Sequence, residues 1–567
     1  MAIPFQTHRA ESEAPEPSRR LVTRRNPFRG EWIIPLLPAG SLIVLWGFIF
    51  SIHPPGRQDF PLVDDWAYSR GLFGLARGEG IHYFHQPSMP LLGQWLLAYP
   101  AVLVAGESHA ALRVVTISLA MIGILAFYDL LRRVASLSRG EASFVAASLA
   151  LNPIFVMMCG CFMTDVPSLS ISLAALALYI RALRGGGSWQ LVLASAVATL
   201  ATITRQNAVV VPLVAGILLL QCRDLRWRPS WYLGVGLPLI AGILVHRWFT
   251  ARPDSLPMEP RMPSARDVLV LCYTAAIYMG LTVLPLLALR PGLVSRVRYA
   301  VSLFALLNGV ALCIQLGDHM FPPRTFYGGL FPYLPHMFTP WGVLEDNFCG
   351  VGARPLMMGR NTQWVVTVLA CVGGAALADR GFARLRAGWA ANPFLLFTIL
   401  HATILLASPV LFDRYLIVLM PGALALTAGA ARRARWTIGL AVLAISATFS
   451  VCLVHDWYAW NSARWDLGRR ALARGISVDD IEGGFEWDSW YAPGPVVASP
   501  FEPLSKFSPG LMLPFNHVRH PHITGRYALA FSQIPGTIVL DSEPYRLWLI
   551  PGKWHFLLLE QQEADQR

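Results

Sequence analysis

Three carboxylates and two guanidiniums, set beside or between apolar stretches, are the side chains best suited to chemistry in this chain. Asp64 and Asp65 stand in Val63-Asp64-Asp65-Trp66-Ala67-Tyr68, ahead of Gly78-Glu79-Gly80 and Tyr83-Phe84-His85-Gln86-Pro87. Asp165 stands in Phe162-Met163-Thr164-Asp165-Val166-Pro167, Arg205 in Thr204-Arg205-Gln206-Asn207, and Arg414 in Phe412-Asp413-Arg414-Tyr415. Charge beside lipid is costly, so a carboxylate retained there either satisfies local backbone or serves a ligand. By position alone, Asp64 and Asp65 also fit a solvated Asx turn, Asp165 fits a helix N-cap, and each Arg fits local pairing or snorkelling. Taken together they suit a ligand that carries both a phosphate and a hydroxyl. Guanidiniums hold phosphate oxygens in fork geometry, and a carboxylate accepts a proton. His85 fits a phosphate contact or a turn cap equally.

The elements that must position these residues are membrane helices. The chain has 567 residues, of which 54% are hydrophobic and 14% charged, and this excludes an ordinary soluble protein. A span needs roughly 20 largely uncharged residues. Apolar stretches near 32–52, 114–131, 142–158, 168–183, 189–204, 208–222, 231–249, 268–289, 299–317, 364–378, 393–409, 415–431 and 437–454 give about thirteen spans by this criterion. The stretch 90–105 is ambiguous, because Pro100 cuts it. If it lies in the interface, Arg clusters at 132/133/139, 181/184, 223/226/228, 290/296/298, 380/384/386 and 432/433/435 all share one side, which the positive-inside rule makes cytoplasmic. The expected topology is therefore a cytoplasmic tail over residues 1–31, a transmembrane domain over 32–454 with a first outside loop at 53–110, and an extracytoplasmic C-terminal domain over 455–567. The chemical candidates then all fall on the outside. The tail carries six arginines before the first apolar run and lacks the pattern of a cleaved signal peptide.

The formal net charge of +12 raises nucleic acid or an anionic surface as a partner. From His455 onward, however, acidic side chains outnumber basic ones, so the excess lies among the apolar segments, where it reports orientation. Nucleic acid is not expected as a partner. Eight scattered cysteines show no CxxC pair and read as small packing residues. Residues 455–567 read as a small α+β domain with a helix ending near Arg474 and alternating segments at Arg526–Ser532 and Tyr545–Ile550. Trp457, Trp460 and Trp465 read as an interface and packing stripe, and Gly483-Gly484-Phe485-Glu486-Trp487 as only weak evidence of a site.

Asp64-Asp65-x-x-Tyr68, the Pro-containing stretch before Ala110-Ala111-Leu112-Arg113, Thr164-Asp165-x-Pro167 and Asp413-Arg414-Tyr415 resemble the GT-C glycosyltransferases. Within that superfamily the chain is most similar to the protein O-mannosyltransferase-like group and the lipid A aminoarabinose transferases. The resemblance implies an α-helical polytopic membrane fold, and an inverting transfer of a hexosyl or pentosyl unit from a polyprenyl-phosphate donor to a glycan, lipid or protein acceptor outside a bacterial inner membrane. It implies catalytic roles for Asp64, Asp65 and Asp165. Arg205, Arg414 and His85 become candidates for the donor phosphate, and Tyr68, Gln86 and Arg324 for further substrate contacts. Relatives often carry Lys-Pro-Pro where this chain has His85-Gln86-Pro87-Ser88-Met89-Pro90, a departure that removes one cation. No cofactor is assigned, and a divalent metal is left open. The competing reading is a transporter or flippase of lipid-linked sugars, against which stand the lack of an internal repeat and the gathering of ionisable residues at outside loops.

Overall fold

The computed structural model describes residues 33–185, 187–222, 224–225, 227–316, 329–334, 337–344, 349–386, 392–428, 434–491 and 523–562. Its helices run α1 (Ile33–Ile52), α2 (Asp65–Ala76), α3 (Leu92–Ala105), α4 (His109–Arg133), α5 (Arg139–Ala150), α6 (Pro153–Cys159), α7 (Asp165–Leu183), α8 (Ser188–Thr204) and α9 (Val210–Gln221). They continue as α10 (Pro229–Thr250), α11 (Ala265–Leu289), α12 (Arg296–Leu316), α13 (Arg360–Arg386), α14 (Pro393–Ala407), α15 (Met420–Thr427), α16 (Trp436–Ala473) and α17 (Phe485–Tyr491). The strands are β1 (Phe338–Thr339), β2 (Gly342–Val343), β3 (Ile481–Glu482), β4 (Tyr527–Ala530), β5 (Thr537–Tyr545) and β6 (Trp554–Gln561).

Within the described residues, every stretch expected to span is largely helical. Among the described residues, eight helices are long and apolar enough to cross a bilayer, or nine if α5 and α6, bent by 64° at Leu151-Asn152, count as one broken span. The count of thirteen is not confirmed. α8, α9 and α14 fall short of a full span, and the stretch 415–431 divides into a 3-10 segment, Asp413–Leu419, and the eight-residue α15. α3 is 14 residues, or about 21 Å against a hydrocarbon core of about 30 Å, so its length suits an interfacial helix.

Helix starts follow local chemistry. Ser138 with Glu141 and Ser264 with Asp267 form capping boxes at α5 and α11, Ser108 caps α4, and Asn152 and Asn392 cap α6 and α14 ahead of prolines at the first helical position. Inside the bundle, small residues let helices approach closely. A Cβ at Gly280 of α11 would collide with the Ala370 carbonyl of α13, and one at Gly123 of α4 would lie 2.5 Å from Ser170 Oγ of α7. Outward faces stay apolar and exposed, as at Val44 of α1, Leu244 of α10 and Val301 of α12.

The basic clusters within the described residues meet at one end of the bundle. Arg184 donates to the Arg133 carbonyl, Arg181 pairs with Asp129, Arg290 with Glu141, Arg298 with Asp379, and Arg380 donates to the Arg290, Gly292 and Thr427 carbonyls. α7 runs from this end to Asp165, so the basic cap and the chemical candidates lie about 28 Å apart along a 19-residue helix.

α16 continues unbroken from the bundle into the C-terminal segment and ends at Ala473, close to the expected Arg474. A four-stranded sheet of order β3-β4-β6-β5 follows, parallel between β3 and β4 and antiparallel elsewhere. The strand expected at 526–532 is β4, but the one expected at 545–550 is not found: β5 ends at Tyr545, and the backbone of Trp548 and Leu549 instead donates to the Asp456 carboxylate of α16. Trp457, Trp460 and Trp465 are buried against this segment rather than lying at a lipid surface.

Candidate active site

Asp64 is the residue before α2, a helix unforeseen inside the loop 53–110. It does not cap that helix with its side chain, as an Asx turn would require. Its carboxylate turns inward instead, Oδ1 accepting from Gln86 Nε2 at 3.0 Å and Oδ2 from Arg414 Nη2 at 3.1 Å. Arg414 lies on the 3-10 segment Asp413–Leu419, which is anchored because the Asp413 carboxylate accepts from the backbone N–H groups of Met337, Phe338 and Arg414. Residues 350 positions apart thus form one ion pair, with the side chains only 10% and 5% exposed.

Asp165 is the first residue of α7, with Thr164 in the N-cap position, so the capping position expected for it falls to its neighbour. Pro167 is tolerated because the first turn needs no intrahelical donor. The Asp165 carboxylate accepts from Arg205 Nη1 at 2.6 Å, and the same nitrogen reaches Thr164 Oγ1 at 3.1 Å. Arg205 closes α8, where its extended φ of −149° breaks the helix. Tyr415 joins the two pairs, its ring lying 4.9 Å from the Arg205 guanidinium and 5.5 Å from that of Arg414. In the sequence Tyr415 is only part of a short motif; its position between two cations depends on tertiary packing.

Tyr68, one turn into α2, donates to Met89 Sδ at 3.3 Å and faces the charges of Asp64, Arg414 and Asp165. Burial first, then the Asp64 charge, holds its phenol protonated well above the ordinary range. Gln86 belongs to a loop fixed from two directions: Gln206 Nε2 donates to the Ser88 carbonyl, and the backbone N–H groups of His85 and Leu256 donate to the Asp254 and Pro87 carbonyls.

Asp65 points elsewhere. It is fully buried, its Oδ2 taking a long 3.4 Å contact from the Leu62 N–H, and burial pushes its carboxyl up to about 8 against the opposing pull of Arg113 and of backbone hydrogen bonds from Phe162 and Leu62. Arg113 itself donates to the Gln58 and Phe60 carbonyls and organises the loop from beneath. His85 is half-buried, and its ring has no hydrogen-bond partner among the described residues. Arg324 lies outside the described residues. Among the described residues no three His, Cys, Asp or Glu side chains converge as metal ligands.

Residues 88–248 match the family model described as dolichyl-phosphate-mannose-protein mannosyltransferase. The matched stretch contains Asp165 and Arg205 and leaves out Asp64 and Arg414. By length and composition the described helices are those of a polytopic membrane protein, and the family match is confined to residues 88–248, less than half of the chain. Among solved structures the chain is similar to the oligosaccharyltransferase of Archaeoglobus fulgidus in its apo form, at 15% identity, 75% coverage of this chain and a TM-score of 0.39, and it spans only 55% of that protein. It is also similar to ArnT from Cupriavidus metallidurans, bound to undecaprenyl phosphate (12% identity, TM-score 0.39, 93% of this chain and 98% of that one) and in the apo state (13%, 0.41, 93% and 97%). No curated protein matches by sequence.

Proposed function

We propose that this protein is an inverting glycosyltransferase that moves a hexosyl or pentosyl unit from a polyprenyl-phosphate donor to a hydroxyl-bearing acceptor on the extracytoplasmic face of a bacterial inner membrane. The observation that carries the reading is the pairing of Asp64 with Arg414 and of Asp165 with Arg205 around Tyr415, at the end of the bundle opposite its basic cap. In this reading the N-terminus is cytoplasmic and the C-terminal segment outside.

The reaction is a single displacement. The acceptor oxygen bonds to the anomeric carbon as the bond to the donor phosphate oxygen breaks; the electron pair leaves with the polyprenyl phosphate, and the acceptor proton passes to Asp64. Phosphate leaves readily, so one base suffices and no separate acid is needed. Arg414 and Arg205 stabilise the charge that builds on the leaving phosphate. The Asp64–Arg414 pair couples the two events: once Asp64 takes the proton its hold on Arg414 weakens, and the guanidinium is released toward the phosphate as that group gains charge. Asp165 orients Arg205, and Tyr68 and Gln86 border the reacting centre. Asp65, protonated at neutral pH by its burial, is unsuited to the base role.

The test is complementation of a deletion strain, read by mass spectrometry of its glycolipids and glycoproteins. Wild-type protein restores the missing glycoform. Asp64→Asn is expected to restore about a hundredth or less, the usual magnitude for loss of a general base. Full restoration by Asp64→Asn removes the proposal.

A further inference from the structure

Gly483-Gly484-Phe485-Glu486-Trp487 takes no part in the chemistry above, yet its glutamate is wholly buried and reaches the residue before Asp64. Glu486 Oε1 accepts from the Val63 N–H at 3.1 Å, and Oε2 from Arg464 Nη2 at 2.9 Å. Arg464, equally buried, also donates to Asn461 Oδ1 at 2.8 Å and to the Cys349 and Gly483 carbonyls at 3.1 and 3.4 Å. One carboxylate therefore ties the first outside loop to a framework made by α16, the segment at Cys349 and the C-terminal region.

The tie falls on a strained residue. Val63 has φ of 57°, a left-handed conformation that a β-branched residue avoids, and its side chain is 1% exposed. The backbone there sets the direction in which Asp64 leaves the chain. Released from Glu486, Val63 would relax toward negative φ and turn Asp64 away from Arg414 and Gln86. The glycines make the tie feasible: a Cβ at Gly484, whose φ is +89°, would lie 2.8 Å from Arg464 Nη1, and one at Gly483 would collide with the Trp487 ring. Asp488 and Glu482 hold the same turn by accepting from the N–H groups of Gly483 and Gly484, and Phe485 packs edge-on against Trp66 of α2 with centroids 6.1 Å apart.

We infer that Glu486 is a positioning residue for Asp64, acting by holding Val63 in its left-handed conformation. The inference rests on the reading of Asp64 as the base. Glu486→Gln tests it, because an amide offers one acceptor oxygen where the carboxylate offers two, and either the Val63 N–H or Arg464 loses its partner. Hydrogen exchange of the full-length protein in detergent is expected to show the amides of residues 62–66 exchanging about tenfold faster or more, with α7 unchanged. In the deletion strain, Glu486→Gln should restore about a tenth of the missing glycoform, and Val63→Gly added to it should recover most of the remainder, since glycine takes positive φ without steric cost. A glutamate that merely supports C-terminal packing would not be rescued by a change in the loop. Unaltered exchange at 62–66, or no rescue by Val63→Gly, overturns the inference. If Glu486→Gln does not accumulate, Gly484→Ala, whose Cβ displaces Arg464, should loosen the same amides, and unaltered exchange there overturns it equally. Asp64→Asn separates the two claims: if that variant restores the glycoform, the base reading fails while the exchange result still decides whether Glu486 holds the loop.

Discussion

Asp64 and Asp65 are neighbours of one residue type, and their surroundings give them opposite properties. Both oxygens of Asp64 have polar partners, one of them a cation, whereas Asp65 is enclosed and keeps its proton up to about pH 8. The folded protein holds a proton on Asp65 that the unfolded chain releases near 3.8, so this group lowers stability progressively as pH rises from about 4 to about 8, and the loss levels off above that. Asp65→Asn should therefore gain in melting temperature relative to wild type between pH 5 and pH 8, followed by tryptophan fluorescence in detergent, while still restoring the glycoform. An equal or falling difference with pH would show that Asp65 is ionised in the folded state. The two arginines give a second expectation. Arg414→Ala and Arg205→Ala should each weaken binding of undecaprenyl phosphate by about tenfold or more, since a charge-assisted hydrogen bond is worth roughly 1.5–3 kcal/mol. Both will also lose stability, because each leaves a buried carboxylate unpaired. Conserving the charge with Arg414→Lys separates the effects: stability should recover more than phosphate affinity, because an ammonium lacks the guanidinium fork. Unchanged affinity in both Ala variants would place the phosphate elsewhere.

Among the secondary-structure elements, the site depends on helix ends held in register by close backbone contacts. Gly93 of α3 is one such point: a Cβ there would collide with the Leu200 carbonyl and with Thr204 Oγ1 of α8, one residue before Arg205. The Leu91 N–H also donates to the Thr204 carbonyl across the same junction. Gly93→Ala must separate the two helices and should cost about 1–3 kcal/mol of stability. It should reduce undecaprenyl phosphate binding as well, by shifting the residue that carries Arg205; a loss of stability with unaltered binding would show that α3 does not set Arg205. Hydropathy located α7, α10 and α11 closely, because their length and uncharged composition are one-dimensional properties. It missed α2, whose twelve residues mix Asp65, Ser69 and Arg70 with aromatics and sit in a polar loop, and it took 415–431 as one undivided span because a 3-10 segment and an α-helix have the same apolar composition.

Across the molecule, orientation and the role of the C-terminal segment are the properties to test. Reporters fused after Arg133 should read cytoplasmic and those fused after Gly475, just beyond α16, extracytoplasmic. The reverse result at either position rejects the positive-inside assignment. Truncation after Val454 would cut α16 in mid-helix and remove Arg464 and Glu486, so the truncated chain should restore no glycoform even if it inserts. Restoration by the truncated chain would make the C-terminal segment dispensable.

Composition and local order were enough to specify the solvent of this chain and to single out the side chains proposed as its reactive groups. Apolar length, the few charges and the one-sided arginine clusters are properties that a bilayer reads directly, and Asp64, Asp165, Arg205 and Arg414 stood out because charge is expensive near lipid. Which charge meets which was settled by folding alone. Asp64 finds its cation 350 residues away and Asp165 finds its own 40 residues away, and no spacing rule links such pairs. Burial was equally illegible: it gives Asp65 a proton and leaves Asp64 to Arg414, although both lie in the same short motif. The Gly483-Gly484-Phe485-Glu486-Trp487 motif gained its meaning only when folding brought Glu486 to the backbone of Val63, because a hydrogen bond to a main-chain N–H leaves no trace in the identity of the residue that donates it.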